Sequence, residues 1–261
     1  MPVTDSHPAG NFVWMELSTT DPSAAKTFYS ALFGWQPEDM PMGPDMIYTL
    51  FRLSGRDIGG AYTMRPEDRA MGIPPNWLLY IAVDNADSTV AQILEHGGTP
   101  MSPAFDVPNV GRMAVIQDPA SAVFAIFEPG AHKGMGLYGE NGALCWADLA
   151  TPDRDRAARF YGSVFGWEFT LGKDKDPNGY LHIKNRGQFI GGMPPSHTLQ
   201  PSIAPHWMGY IQAADCDAQT ARATHIGAKV IVPPMPIPDS GKFSVVADPQ
   251  GAVFALFSPQ H

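Results

Sequence analysis

Cysteine is scarce. The 261-residue chain has two, Cys145 and Cys216, and they form no Cys-x-x-Cys pair, which excludes a disulfide framework, a zinc ribbon and a dithiol redox motif. Both are expected as buried apolar residues of a reduced protein. Charge is also thin, at 16% Asp, Glu, Lys and Arg, and the net charge is −9 with no Lys/Arg cluster to offset it. Such a chain repels phosphate backbones and anionic bilayers, so neither nucleic acid nor a membrane is an expected partner. No run of eighteen apolar residues suits a bilayer, and the opening MPVTDSHPAG lacks the apolar centre of a secretory signal. The expected location is the cytoplasm.

What the chain does have is turn residues, 26 Gly and 26 Pro, beside 44% hydrophobic residues. That balance describes a folded, loop-punctuated protein rather than a disordered one. It also has a repeat. FYSALFGW, Phe28 to Trp35, returns as FYGSVFGW, Phe160 to Trp167, at a spacing of 132 residues. At the same spacing Trp14 meets Trp146, Glu16 meets Asp148, Tyr48 meets Tyr180, and Gly59-Gly60 meets Gly191-Gly192. The spacing then becomes 130, pairing Trp77 with Trp207, Tyr80 with Tyr210, and DPASAVFAIF from Asp118 with DPQGAVFALF from Asp248. The chain is two homologous halves.

Each half reads in the same order. FVWMELSTT has strand character, Asp21-Pro22 supplies an N-cap and a first helical residue, and Ala24, Ala25, Phe28, Tyr29, Leu32 and Phe33 form an apolar stripe ended by Gly34. The repeated phrase is therefore the buried face and stop signal of a helix covering a sheet. Three strands are expected around 35–39, 46–53 and 58–63. A second βαβββ unit follows from Trp77, with a helix near 86–96 and strands near Thr99, 112–117 and 122–128. The Gly-rich, aperiodic GAHKGMGLYGENG reads as a linker. The expected domains are 1–129 and 143–261, joined by 130–142. The Pro-rich segments 103–111 and 233–241 are expected as stiff loops beside the cup mouths.

Four βαβββ modules, with D…FY…FGW after the first strand and DPxGxxF before the last, resemble the vicinal oxygen chelate superfamily, the glyoxalase, bleomycin-resistance and extradiol-dioxygenase group, in its tandem two-domain glyoxalase-like form. The resemblance implies an α+β fold in which the modules pair into two cup-shaped mixed-sheet domains with helices outside. It also implies a divalent metal on each cup floor, held by a His of the first strand and a Glu of the last. Carried over, those ligand positions fall on Trp14, Trp146, Leu78, Met208, Ala125 and Ala255. None offers imidazole or carboxylate. No cofactor is therefore expected, with a divalent metal as the alternative.

Strand parity indicates what faces the cups instead. Trp14, Tyr80 and Phe127 face inward in the first, and Trp146, Tyr210 and Phe257 in the second. Together they are the candidate ligand-binding set for a small, planar organic molecule. They could equally fill the cups as core. Glu16 and Asp148 share that face and are the candidate acid/base groups, unless they pair with Arg112 and Lys242. His206, His182 and Asp148 form an alternative metal trio. His7, His96, His132, His197, His225 and His261 are expected in loops, on helix surfaces or at termini. The readings that remain are a binding protein and a lyase, isomerase, dioxygenase or hydroxylase-like enzyme; a third is a protein with filled cups and no ligand. A monomer or homodimer suits all of them.

Overall fold

The computed structural model describes residues 6–43, 46–172 and 179–260, so His261, expected at a terminus, lies outside the described residues. The first module runs β1 (Phe12–Thr19), α1 (Pro22–Phe33), β2 (Gln36–Gly43), β3 (Met46–Leu53) and β4 (Arg56–Thr63), followed by a short helix, α2 (Pro66–Ala70). The second runs β5 (Asn76–Ala82), α3 (Ala86–Glu95), β6 (Thr99–Pro100), β7 (Phe105–Val107), β8 (Gly111–Gln117) and β9 (Val123–Pro129). The third comprises β10 (Leu144–Ala150), α4 (Arg154–Phe165), β11 (Glu168–Leu171), β12 (Leu181–Asn185) and β13 (Gln188–Met193). The fourth comprises β14 (His206–Gln212), α5 (Cys216–His225), β15 (Lys229–Ile237), β16 (Gly241–Ala247) and β17 (Val253–Pro259). No helix among the described residues is long and apolar enough to cross a membrane.

The helix signals act where the sequence puts them. Asp21 accepts from the Ala24 N–H and Asp153 from the Arg156 N–H, while Gly34 and Gly166 end α1 and α4 at φ 75° and 70°. Each half forms one mixed sheet. The first has the order β2-β3-β4-β1-β5-β9-β8-β6, with β7 on β8, and the second has β11-β12-β13-β10-β14-β17-β16-β15. The two modules of a sheet meet at its centre through antiparallel β1 and β5, or β10 and β14. This is the α+β architecture of two curled sheets.

The repeated helix phrase works across the halves. Tyr29 on α1 donates to Asp248 Oδ2 at 2.9 Å and accepts from Trp77 Nε1 at 3.0 Å. Tyr161 on α4 repeats this with Asp118 at 3.0 Å and Trp207 at 2.8 Å. Trp35 donates to the Gly142 carbonyl and Trp167 to the Gly10 carbonyl, at 2.7 and 2.8 Å. Each half therefore closes the other with its FY and FGW residues. Asp118 and Asp248 also accept N–H groups of their own turns, so one carboxylate serves a turn and an interface.

Two expectations are corrected. Segment 233–241 is not simply a loop, because β15 continues through Pro233, Pro234 and Pro236 to Ile237. It is the edge of its sheet, where a missing N–H donor is tolerated. In the first half, Phe105–Val107 pairs with β8 inside a segment also expected as loop. The linker is packed rather than slack, with Met135 and Leu137 buried and the Met135 N–H bonded to the Val13 carbonyl at 2.8 Å.

Candidate functional site

Register assigns the cup faces. Trp14 lies opposite Tyr80, and Glu16 opposite Leu78 on one side and Gly60 on the other. Their counterparts are Trp146 opposite Tyr210, and Asp148 opposite Met208 and Gly192. In the first cup Tyr80 donates to Glu16 Oε2 at 2.7 Å. Tyr48 also donates to Glu16 and accepts from Trp14 Nε1 at 2.9 Å. In the second, Tyr210 donates to Asp148 Oδ2 at 2.7 Å, while Tyr180 and Trp146 Nε1 both reach Asp148 Oδ1. Each cup is thus built on an acid held by two tyrosines, with an indole tied into the network.

Tyr48 and Tyr180 are the members that reading strands one at a time left out. Their signal was present, since they are repeat-related and stand in phase with the paired glycines. A Cβ on Gly60 would lie 2.1 Å from the Tyr48 hydroxyl, and one on Gly192 would lie 2.0 Å from that of Tyr180. Only glycine leaves room for the phenol to lie across the sheet. The other member of each pair does a different job. A Cβ on Gly59 or Gly191 would meet the Met15 or Ala147 carbonyl at 2.9 or 2.3 Å, so these glycines admit the neighbouring strand.

Glu16 and Asp148 do not pair with Arg112 and Lys242. Arg112 is bound to Asp87 and Asp106, and Lys242 to Asp217, outside the cups. Burial pushes both acids above the ordinary carboxylate range, and the tyrosine donors pull them partly back. Tyr48, Tyr80, Tyr180 and Tyr210 are themselves pushed well up by burial and the neighbouring carboxylate, so they remain protonated donors at neutral pH.

His206, His182 and Asp148 are not assembled into a metal site. Among the described residues no group of three or more His, Cys, Asp or Glu is placed to hold an ion. His206 stands at the start of β14 with its Nδ1 on the Ala204 carbonyl at 2.9 Å. His182 turns its ring toward Tyr180 and Trp146, and Asp148 is occupied by three donors. The positions carried over from the family fare no better, since Trp14 donates to a phenol while Ala125 and Ala255 have no donor atom. The residues present do not fit the family's metal.

The cups differ in access. Trp14, Tyr80 and Phe127 are buried, at 7%, 4% and 3% exposure. The linker's His132 stands edge-on to Trp14 at 4.9 Å, with Nε2 3.2 Å from Asp57. Trp146, Met208, Phe243 and Phe257 are half-buried around Tyr210, Val245 and Ala255. The first cup is partly plugged by the linker, while the aromatic wall of the second is only partly buried. Burial also pushes the Cys145 thiol up to about 12, which makes it inert as a nucleophile.

The raised acids set a pH dependence. A carboxyl whose folded pKa lies above its unfolded value favours the folded state when protonated. Its contribution therefore falls as pH rises from the ordinary carboxylate range through the raised value, and is level beyond. Urea unfolding of wild type and Asp148→Asn across that range should show the variant gaining stability relative to wild type as pH rises. A difference that is flat, or of opposite sign, would contradict a raised Asp148.

Residues 11–126 match the family model described as Glyoxalase/Bleomycin resistance protein/Dioxygenase superfamily, and residues 146–257 match that of a Glyoxalase-like domain. A protein of Mycobacterium tuberculosis named "Putative glyoxylase CFP32" is 37% identical over 262 residues, covering 99% of this chain and 98% of its own. An anthracycline biosynthesis protein of Streptomyces peucetius, DnrV, is 29% identical over 257 residues, covering 93% and 91%. Among solved structures, the Mn(II)-bound glyoxalase from Novosphingobium aromaticivorans has a TM-score of 0.64 at 17% identity, covering 96% of this chain and 82% of that one. The 2,3-dioxygenase LapB from a Pseudomonas species has a TM-score of 0.65 at 12% identity, covering 97% and 94%.

Proposed function

The chain belongs to the glyoxalase/bleomycin resistance protein/dioxygenase superfamily, and from that premise we propose that it binds a small, planar organic molecule in an aromatic-lined cup without the family's metal, using the second cup as its main site. The carrying observation is the partly buried wall of Trp146, Met208 and Phe257 around the Asp148, Tyr180 and Tyr210 network. Aromatic faces hold a flat ligand by stacking, and phenol oxygens that donate inward to Asp148 still have lone pairs to accept from it. The name of the Streptomyces relative agrees with a flat polycyclic ligand. One chain supplies both cups, so this function needs no second copy.

A second reading, a metal-free enzyme of lyase, isomerase or oxygenase type, is favoured by one observation. Glu16 and Asp148 are carboxyls raised by burial and held by phenols, the arrangement that tunes an acid toward proton transfer near neutral pH.

Calorimetric titration with naphthalene and anthraquinone fragments, with and without chelator, tests the binding reading. Binding should survive the chelator, weaken about tenfold in Trp146→Ala, or about 1.4 kcal/mol, and hardly change in Trp14→Ala. Loss of binding in chelator would reinstate a metal. Turnover of a fragment lost in Asp148→Asn would favour the enzyme.

A further inference from the structure

The duplication supplies an internal control at the lip of each cup. In the first half Arg52 lies 2.7 Å from Asp57 and also pairs with Glu38, while Asp57 takes His132 at 3.2 Å. That cation is neutralised. At the equivalent places the second half has Lys184 for Arg52, Phe189 for Asp57 and His182 for Leu50. The Lys184 ammonium sits 4.7 Å over the Phe189 ring, and Glu168, its cross-strand neighbour, does not come within ion-pair distance. Among the described residues Lys184 has no carboxylate partner and His182 no hydrogen-bond partner. Phe189 is 52% exposed, so its ring is open to a ligand.

These side chains form a continuous strip leading into the cup. Phe189 lies 5.2 Å from His182, and His182 lies 4.9 Å from Tyr180 and 6.3 Å from Trp146. Burial and Lys184 hold the His182 imidazole below its usual range. It is neutral at pH 7 and offers one N–H. Asp148 on the floor repels an anion, whereas Lys184 at the lip attracts one.

Resting on the reading of the second cup as a ligand site, we propose that this cup selects planar aromatic carboxylates, with the ring laid over the strip of Trp146, His182 and Phe189 and the carboxylate turned outward to Lys184. Lys184 leaves the face of Phe189 to meet the anion, exchanging a cation–π contact for a charge-assisted hydrogen bond. Phe189 in place of Asp57 both removes the carboxylate that pairs with the cation in the first half and widens the aromatic wall.

Matched probes test this. 2-Naphthoate and 2-naphthamide have the same ring and nearly the same shape, but only the first is an anion. Calorimetry on the full chain at low salt should show the carboxylate binding about tenfold tighter than the amide. Lys184→Met should erase that preference while leaving amide binding in place. Arg52→Met, which removes the same charge from the first cup, should leave the preference intact. Phe189→Asp, which restores the first half's pattern at an exposed site, should also erase it. Equal affinity for the two probes in wild type, or an unchanged preference in Lys184→Met, overturns the proposal while leaving the cup reading standing. Binding of neither probe overturns both.

Discussion

Tyr29→Ala should lower stability by about 4 kcal/mol, the usual range for emptying a large buried aromatic site, and should lower the unfolding temperature of both halves together. Tyr29 is fully buried. It stacks on Trp35 at 5.2 Å, meets Trp77 edge-on at 5.3 Å, and packs on Phe254 of the opposite half at 5.7 Å. Its hydroxyl bridges Trp77 and Asp248. Tyr29→Phe keeps the ring and removes only the bridge, which leaves a buried indole N–H and a carboxylate oxygen unpaired at about 2 kcal/mol. Scanning calorimetry separates the outcomes. A single transition shifted as a whole is expected because the residue belongs to both halves. A first-half transition that moves alone, with the second unmoved, would show that the interface does not couple them.

Gly192→Ala should disable the second cup with a smaller stability loss, about 1–3 kcal/mol for overpacking. The added methyl would lie 2.0 Å from the Tyr180 hydroxyl, so the phenol must leave Asp148 and Trp146. Asp148 would then keep Tyr210 and Trp146 but lose the donor that also orders the indole. Affinity for naphthyl probes should fall at least tenfold, about 1.4 kcal/mol, and the Asp148 pKa should rise further. Gly60→Ala should disturb Tyr48 in the same way while leaving probe binding unchanged, since His132 partly plugs the first cup and the second is the main site. If Gly192→Ala binds the probes as wild type does, Tyr180 is no part of the site.

The two glycines also show how far the site was legible. Their pairing by the repeat was plain, and a bulge or a close backbone approach was the natural meaning of Gly-Gly in a strand. That meaning holds for Gly59 and Gly191. Gly60 and Gly192 instead make room for a phenol from the adjacent strand, twelve residues away in sequence, and only the register of β3 on β4 and of β12 on β13 brings the two together. The acids were likewise legible as inward charges needing partners. Arg112 and Lys242, the repeat-related cations that the sequence offers as partners, lie where they bind helix acids. Tyr80 and Tyr210 were legible as inward-facing rings, but a phenol carries no charge by which the sequence would mark it as a partner of the acids. The His206, His182 and Asp148 trio failed for another reason, in that parity gives a face but not a depth along the strand.

The sequence by itself determined the duplication, the module order, the caps of α1 and α4 and the faces of the central strands. These depend on neighbours three or four residues apart in a helix and two apart in a strand, so local chemistry is sufficient. Tertiary structure alone decided that Tyr29 and Tyr161 cross over to Asp248 and Asp118, contacts spanning 219 and 43 residues. It alone decided that the linker's His132 stands against Trp14 in one cup and that, among the described residues, Lys184 is left without a carboxylate. Those outcomes depend on how the helices of each half meet the turns of the other and where a connecting segment is laid. No residue carries that information until the halves meet.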